Sequence, residues 1–445
     1  MDAGYLAMAD GLAAEIGSGR LRAGDRLPTQ RRFAREQRIA LSTAARVYQE
    51  LKKRGLVVGE TGRGTFVRAA GDDCLLALTE PKSSGIDLEL NFPQLPDQAA
   101  LLSQAIKETA RPENVAASLA PAGPRGTAAA CAAAADLIGR PGWSPARDGV
   151  LFAGNGRQAL AGTVAALARP GERLGVEAVT YPVMKAIAAR LGVSLVPLPV
   201  DDLGVVPGAI AGAHRTAPLS AVYLQPALHN PLGLTMTAQR RSEVAGLLAA
   251  IGVVAIEDTI YGFLHDEPLL AADSPDHVVV IDSLSKRLAP GLSVGIVASP
   301  PDLAGRISAA LRAGGWTAPG FALSVATRWL ETDVVARITL GKRRDAAERQ
   351  AVVQRNLGSY DIAGDRRSYH CWWRLPARWR ADLLVAQAAR RGIAVTPGSS
   401  FAVQPGHAPD AVRLALAAPP LPVLDAALRE LAAIVELGPE DSPLE

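Results

Sequence analysis

Three pieces of chemistry lie within one stretch of this chain, each directly after a short apolar run. Lys286 closes Asp282-Ser283-Leu284-Ser285-Lys286, which follows Val278 to Ile281. A primary amine condenses with an aldehyde, so this lysine can hold a carbonyl compound as a Schiff base. Asp258, in Glu257-Asp258-Thr259-Ile260-Tyr261, follows Val253 to Ile256. A carboxylate there can keep a pyridine nitrogen protonated, which turns the ring into an electron sink. Gly154-Asn155-Gly156-Arg157-Gln158 follows Leu151 to Ala153 and leads into an apolar helix from Ala159 to Ala168. Amides at a helix start suit a phosphate. An aldehyde, a basic ring nitrogen and a phosphate together suggest pyridoxal phosphate.

The elements that must position these groups are legible as alternation. Val150 to Ala153, Leu174 to Val176, Ala221 to Leu224, Val253 to Ile256, Val278 to Ile281 and Val294 to Val297 are short apolar runs separated by longer helical stretches. That pattern predicts an α/β domain with a mostly parallel sheet and helices on both faces. Ligands of such sheets gather at the carboxyl ends of the strands, where these polar residues fall. The alanine-rich segment from Thr127 through Ala135 reads as a helix, since alanine favours helix and Leu137 and Ile138 continue its apolar face. His229, His370 and the Trp372-Trp373 pair read as packing residues.

The chain has 445 residues, 49% of them hydrophobic, enough for a short module and a large domain. No apolar run approaches the length of a membrane span, and the start lacks a basic region followed by an apolar stretch. A cytoplasmic protein with no membrane partner is expected. Cys74, Cys131 and Cys371 are odd in number and far apart, which argues against a disulfide framework or a zinc site, so no metal is expected. The net charge of +3 is unevenly spread: residues 1 to 68 hold 13 Lys plus Arg against 7 Asp plus Glu. A basic head on a mildly acidic body fits a module that approaches phosphates.

Within that head, Ala9, Leu12, Ala13 and Ile16 form the stripe of a first helix. Thr29 is placed to cap a second helix carrying Phe33 and Ala34, and Ser42 a third whose apolar face is Ala44, Val47, Tyr48 and Leu51. Gly55 stops it. Leu56 to Val58 and Thr65 to Val67 read as strands around a tight turn, Thr61-Gly62-Arg63-Gly64, with an arginine at its tip. From Ala69 to Ile86 the composition is that of a linker around a brief apolar run, Leu75 to Leu78. The expected domains are therefore 1–68, a linker over 69–86, and 87–445.

Gly24-Asp25-Arg26-Leu27-Pro28, Arg31 and Gly62-Arg63-Gly64-Thr65-Phe66-Val67 resemble the winged helix-turn-helix of GntR-type bacterial regulators. That resemblance implies that the Ser42 helix enters the major groove of double-stranded DNA. Ser42, Thr43 and Arg46 would then lie near base edges or phosphates, Arg31 would grip from the preceding helix, and Arg63 would probe the minor groove or backbone. Asn230-Pro231-Leu232-Gly233, Asp258 with Tyr261, Ser283-Leu284-Ser285-Lys286, Pro290-Gly291-Leu292 and Val412-Arg413-Leu414 resemble fold type I aminotransferases, which are pyridoxal phosphate-dependent transferases with a smaller C-terminal subdomain.

The second resemblance implies a Schiff base on Lys286, Asp258 at the ring nitrogen, and Asn230 and Tyr261 at the ring hydroxyl. Tyr181 would stack on the ring, Gly156, Arg157 and Ser283 would hold the phosphate, and Arg413 would bind a ligand carboxylate. Ser293 stands where many aminotransferases place a phosphate-binding arginine, and no tyrosine occurs near Leu119 to Gly123, where many supply one to a neighbouring subunit. Arg157 is the candidate replacement. The two resemblances in this order are those of MocR-type regulators. They imply a homodimeric regulator that senses an amino compound, or pyridoxal phosphate itself, and reads two operator half-sites. The alternative is a working aminotransferase that carries a DNA-binding domain.

Overall fold

The computed structural model describes residues 3–17, 20–21, 25–53, 56–60, 64–67, 85–404 and 408–438. The expected turn with Arg63, the stop at Gly55, Cys74 and the apolar run at Leu75 to Leu78 lie outside the described residues.

The N-terminal unit has three helices, α1 (Ala3–Gly17), α2 (Gln30–Glu36) and α3 (Leu41–Lys53), then an antiparallel ribbon of β1 (Val57–Glu60) and β2 (Gly64–Val67). Thr29 caps α2 by accepting from the Arg32 amide at 3.3 Å. The Ser42 cap is corrected: the Ala44 amide already bonds to the Ala40 carbonyl, so the helical ladder starts upstream and Ser42 stands in the first turn of α3. Leu27, Phe33, Val47, Tyr48 and Leu51 form a buried core, with the Phe33 and Tyr48 rings edge to face at 5.5 Å. Arg38, between α2 and α3, has φ +52°. A side chain in that left-handed conformation costs roughly 1–2 kcal/mol. Arg38→Gly is expected to stabilise this unit by about 0.5–1 kcal/mol, read as a later thermal transition; an earlier transition would contradict the strain.

The body opens with β3 (Ile86–Leu88), so its first strand starts at the last residue of the expected linker. Its main sheet contains β4 (Val150–Ala153), β5 (Arg173–Glu177) and β6 (Ser194–Leu198). After a two-residue ribbon of β7 (Val200–Asp201) and β8 (Gly204–Val205) come β9 (Ala221–Leu224), β10 (Val254–Asp258), β11 (Val278–Ser283) and β12 (Gly295–Ala298). The seven strands lie in the order β4-β12-β11-β10-β9-β5-β6, and β12 alone runs against the others. Two apolar clusters cover its faces, which explains why these strands are nearly continuous hydrophobic runs.

A second sheet is built from β13 (Ile362–Ala363), β14 (His370–Arg374), β15 (Ile393–Pro397) and β16 (Ala411–Ala415), with β3 at its edge, parallel to β15. The smaller subdomain thus recruits the first strand of the body. Trp373 and Trp379 are buried in its core, and Trp372 packs edge-on against Phe401 at 5.9 Å. The helix Val334–Leu357 runs from the Lys286 segment toward this core.

Candidate functional site

Parallel strands bring their carboxyl ends to one edge, and the edge formed by β4, β10 and β11 collects the candidate residues. The expected glycine turn is itself the first turn of a helix, Gly156–Leu167, capped by Asn155, whose Oδ1 accepts from the Gln158 amide at 3.0 Å. Ser283 ends β11 and caps the one-turn helix Leu284–Arg287, which bears Lys286. The fit between these turns is close: a Cβ on Gly156 would lie 3.0 Å from the Ser283 Cβ. Ser283 Oγ also lies 3.1 Å from Ser285 Oγ and 2.9 Å from Ser293 Oγ. Where an arginine was wanting in the sequence, there is a cluster of three hydroxyls. Arg157 itself is exposed, beside the Tyr181 hydroxyl.

Lys286 Nζ donates to the Asn91 carbonyl at 2.6 Å and sits 3.5 Å from the centroid of the Phe92 ring. Burial holds its ammonium well below the usual lysine range, and the positive charges of Arg413, Arg157 and Lys342 act in the same direction. A lysine so placed is a free amine at lower pH than usual, as a nucleophile requires.

Asp258, the last residue of β10, is 8% exposed. Its Oδ2 accepts from Tyr223 Oη at 2.7 Å and Gln225 Nε2 at 3.3 Å, and its Oδ1 from the Ile260 amide at 3.0 Å. Burial outweighs these donors and pushes the carboxyl up to about 6. Among the described residues no lysine or arginine forms an ion pair with it, so a cationic ring nitrogen would meet a carboxylate that lacks a countercharge.

Arg413 on β16 gathers the other side of the site. Its Nη1 donates to Asn230 Oδ1 at 3.1 Å, and its Nη2 to Thr396 Oγ1 at 3.2 Å and to the Glu89 carbonyl. Tyr261 accepts from Asn91 Nδ2 at 3.0 Å, and burial raises its hydroxyl to about 12. Burial also raises the Tyr181 hydroxyl, with the Arg157 guanidinium opposing that rise. Arg413 Nε and Asn91 Oδ1 are buried without a hydrogen-bond partner among the described residues.

His370 lies between Ser368 Oγ and the His229 carbonyl, and burial lowers its ring to about 3, which keeps it neutral. His229 Nε2 is 3.0 Å from Glu177 Oε2. Both histidines support the site from behind.

Sequence reasoning overlooked Asn91, Phe92, Tyr223, Gln225, Ser285, Thr396 and Lys342. Tyr223 and Gln225 had a usable signal: polar-tipped residues at period two at the carboxyl end of an apolar strand. Asn91 and Thr396 had none, because they reach the site by tertiary packing.

In the N-terminal unit Arg31, Ser42 and Arg46 are exposed and Thr43 is half-buried. The Arg46 guanidinium lies 5.6 Å from the centre of the Tyr5 ring. Arg31 also lines a shallow groove with Arg35, Arg38, Ile39 and Leu41; the two further arginines were not singled out in the sequence.

Two family models match, aminotransferase class I and II over residues 83–431 and bacterial regulatory proteins of the gntR family over residues 5–67. The chain belongs to both families. The HTH-type transcriptional regulator YdeF of Bacillus subtilis is 30% identical over 419 residues, 93% of this chain and 90% of its own. The vitamin B6 salvage pathway transcriptional repressor PtsJ of Salmonella typhimurium is 28% identical over 406 residues, covering 89% and 91% of the two chains. The Pyrococcus horikoshii kynurenine aminotransferase structure superposes with a TM-score of 0.74 at 21% identity over 83% of this chain and 95% of its own. That likeness shows the fold of the body, fold type I. The composition, a gntR-family reader followed by an aminotransferase-like domain, is that of a transcriptional regulator. Among the described residues no helix is long and apolar enough to cross a membrane.

Proposed function

We propose that the aminotransferase-like body is the sensor of this regulator, that it holds pyridoxal phosphate on Lys286, and that its signal is an amino compound bearing a carboxylate, or the cofactor itself. The observation that carries this reading is the convergence of the half-buried Lys286 and the buried Asp258 without a cation, at one edge of the main sheet, with the two-pronged Arg413 facing them from β16. The residues fit the cofactor. Gly156 leaves space against Ser283 that a side chain would fill, and the buried Asn91 Oδ1 and Arg413 Nε have hydrogen-bonding capacity to spare.

When bound, pyridoxal phosphate supplies an aldehyde and an electron-accepting ring. Asp258 would hold the ring-nitrogen proton, Asn230 and Tyr261 would face the ring hydroxyl, and Tyr181 would cover the ring. Ser283, the Gly156 amide and Arg157 would receive the phosphate. Arg413 would exchange the Glu89 carbonyl for the ligand's carboxylate, a stronger, charge-assisted bond. A ligand that binds one body conformation better than another shifts their populations, and two reading heads in a homodimer would then change their grip on two half-sites. We assign residues 1–68 to the reader, 69–86 to the linker and 87–445 to the sensor, acting in the cytoplasm.

The test is the visible spectrum of the protein loaded with pyridoxal phosphate and titrated with amino acids and amines. A stable shift of the band supports a sensor. Repeated conversion to the amine form of the cofactor, restored by keto acids, supports the aminotransferase alternative. On the DNA side, Arg46→Ala is expected to weaken operator binding roughly tenfold and reduce the salt slope by about 1, as loss of one phosphate contact does. Unchanged affinity and slope in a salt-dependent binding assay would remove Arg46 from the interface.

A further inference from the structure

Lys342, on the helix Val334–Leu357, is fully buried. Its Nζ donates to the carbonyls of Lys286, at 3.0 Å, and Leu288, at 2.8 Å. These carbonyls lie at the end of the one-turn helix Leu284–Arg287, where a helix leaves its last acceptors without intrahelical donors. Gln98 Nε2 reaches the same Leu288 oxygen at 2.9 Å, so a neutral amide can satisfy such a carbonyl at this site. A buried ammonium is a costlier way to do so. What it adds is positive charge directly behind the cofactor lysine.

Resting on the cofactor reading above, we propose that Lys342 is a positioning residue for Lys286, fixing the backbone of the turn that presents the amine and placing a cation behind it. Lys286 is faced by Arg157 from the helix Gly156–Leu167, by Arg413 from β16 and by Lys342. Lys342 is faced by Asp345 and Arg287. Asp345 is engaged elsewhere: its Oδ2 accepts from Arg349 Nε at 2.9 Å and lies 2.8 Å from Tyr369 Oη. Burial and Arg287 lower the Lys342 ammonium to about 7 against the pull of Asp345. Below that pH Lys342 is charged and makes it harder for Lys286 to take up a proton. Above it, Lys342 still donates but its electrostatic effect fades.

The experiment follows the absorption of the lysine-bound aldehyde after mixing the full-length protein with pyridoxal phosphate across a pH series. Wild type is compared with Lys342→Gln, which keeps amide donors without charge, and Lys342→Met, which keeps only the length. Lys342→Gln is expected to form the adduct roughly tenfold more slowly near pH 6, with its pH profile displaced upward by about one unit. Lys342→Met should lose most of the adduct, with Lys342→Gln restoring it. A Lys342→Gln protein with wild-type rates and profile overturns the proposal. If wild type itself forms no adduct, it is the cofactor reading that fails.

Discussion

Lys286→Ala is expected to abolish the absorption of the lysine-bound aldehyde outright, and with it every spectral response to amino compounds. The loss should be total because, among the described residues, the site holds no second amine able to substitute. Lys342, its buried neighbour, has Nζ committed to two carbonyls and faces the backbone of the Lys286 turn. Lys286→Arg separates two roles: it keeps a cation for the Asn91 carbonyl and the Phe92 ring but cannot condense, so it should be equally silent. The check is borohydride trapping followed by mass mapping. A peptide labelled at any other lysine in Lys286→Ala would defeat the assignment. The N-terminal unit has a core of its own, so both variants should still bind operator DNA in the absence of ligand.

Asp282→Ala should cost the body about 3–5 kcal/mol, because it leaves a buried guanidinium without its counterion. Asp282 and Arg287 are 1% and 4% exposed and meet at 2.8 Å. Asp282 Oδ1 also accepts from the Ser283 amide at 2.6 Å, so the same change loosens the turn before Lys286. Arg287 Nε lacks a hydrogen-bond partner among the described residues, so nothing there stands ready to replace the aspartate. The double variant Asp282→Ala/Arg287→Met should recover much of the loss, since a buried pair can often be exchanged for apolar packing at little cost. Urea midpoints of the three proteins decide it. A single-variant loss under about 1 kcal/mol would mean that water reaches Arg287.

These expectations draw on features that differ in how legible they were. The parallel strands could be read residue by residue, Ala221–Leu224 and Val150–Ala153 among them, because burial on both faces leaves an apolar run with sharp polar ends. Lys286, Asp258 and the glycine turn were legible for the same reason: each lies in the short polar segment that directly follows such a run. β3 was harder to place, because its partner β15 lies some three hundred residues further on and only tertiary pairing joins them. The Ser42 cap failed by two residues, a matter settled by the Ala40 carbonyl rather than by side-chain preference. Lys342 reads in sequence as an ordinary solvent-facing lysine in a polar helix. Only the packing of that helix against the Lys286 turn reveals its surroundings.

All six tryptophans, Trp143, Trp316, Trp329, Trp372, Trp373 and Trp379, belong to the body, and the first 68 residues contain none. Trp372 stands opposite Arg413 in the β14–β16 register. The molecule therefore carries a one-sided optical label. Ultraviolet excitation of indole sees only the half that would hold the ligand, so operator DNA added to the other half is silent in this channel unless something crosses the chain. A change in indole emission on adding DNA would be a direct record of that crossing, obtained without attaching a dye.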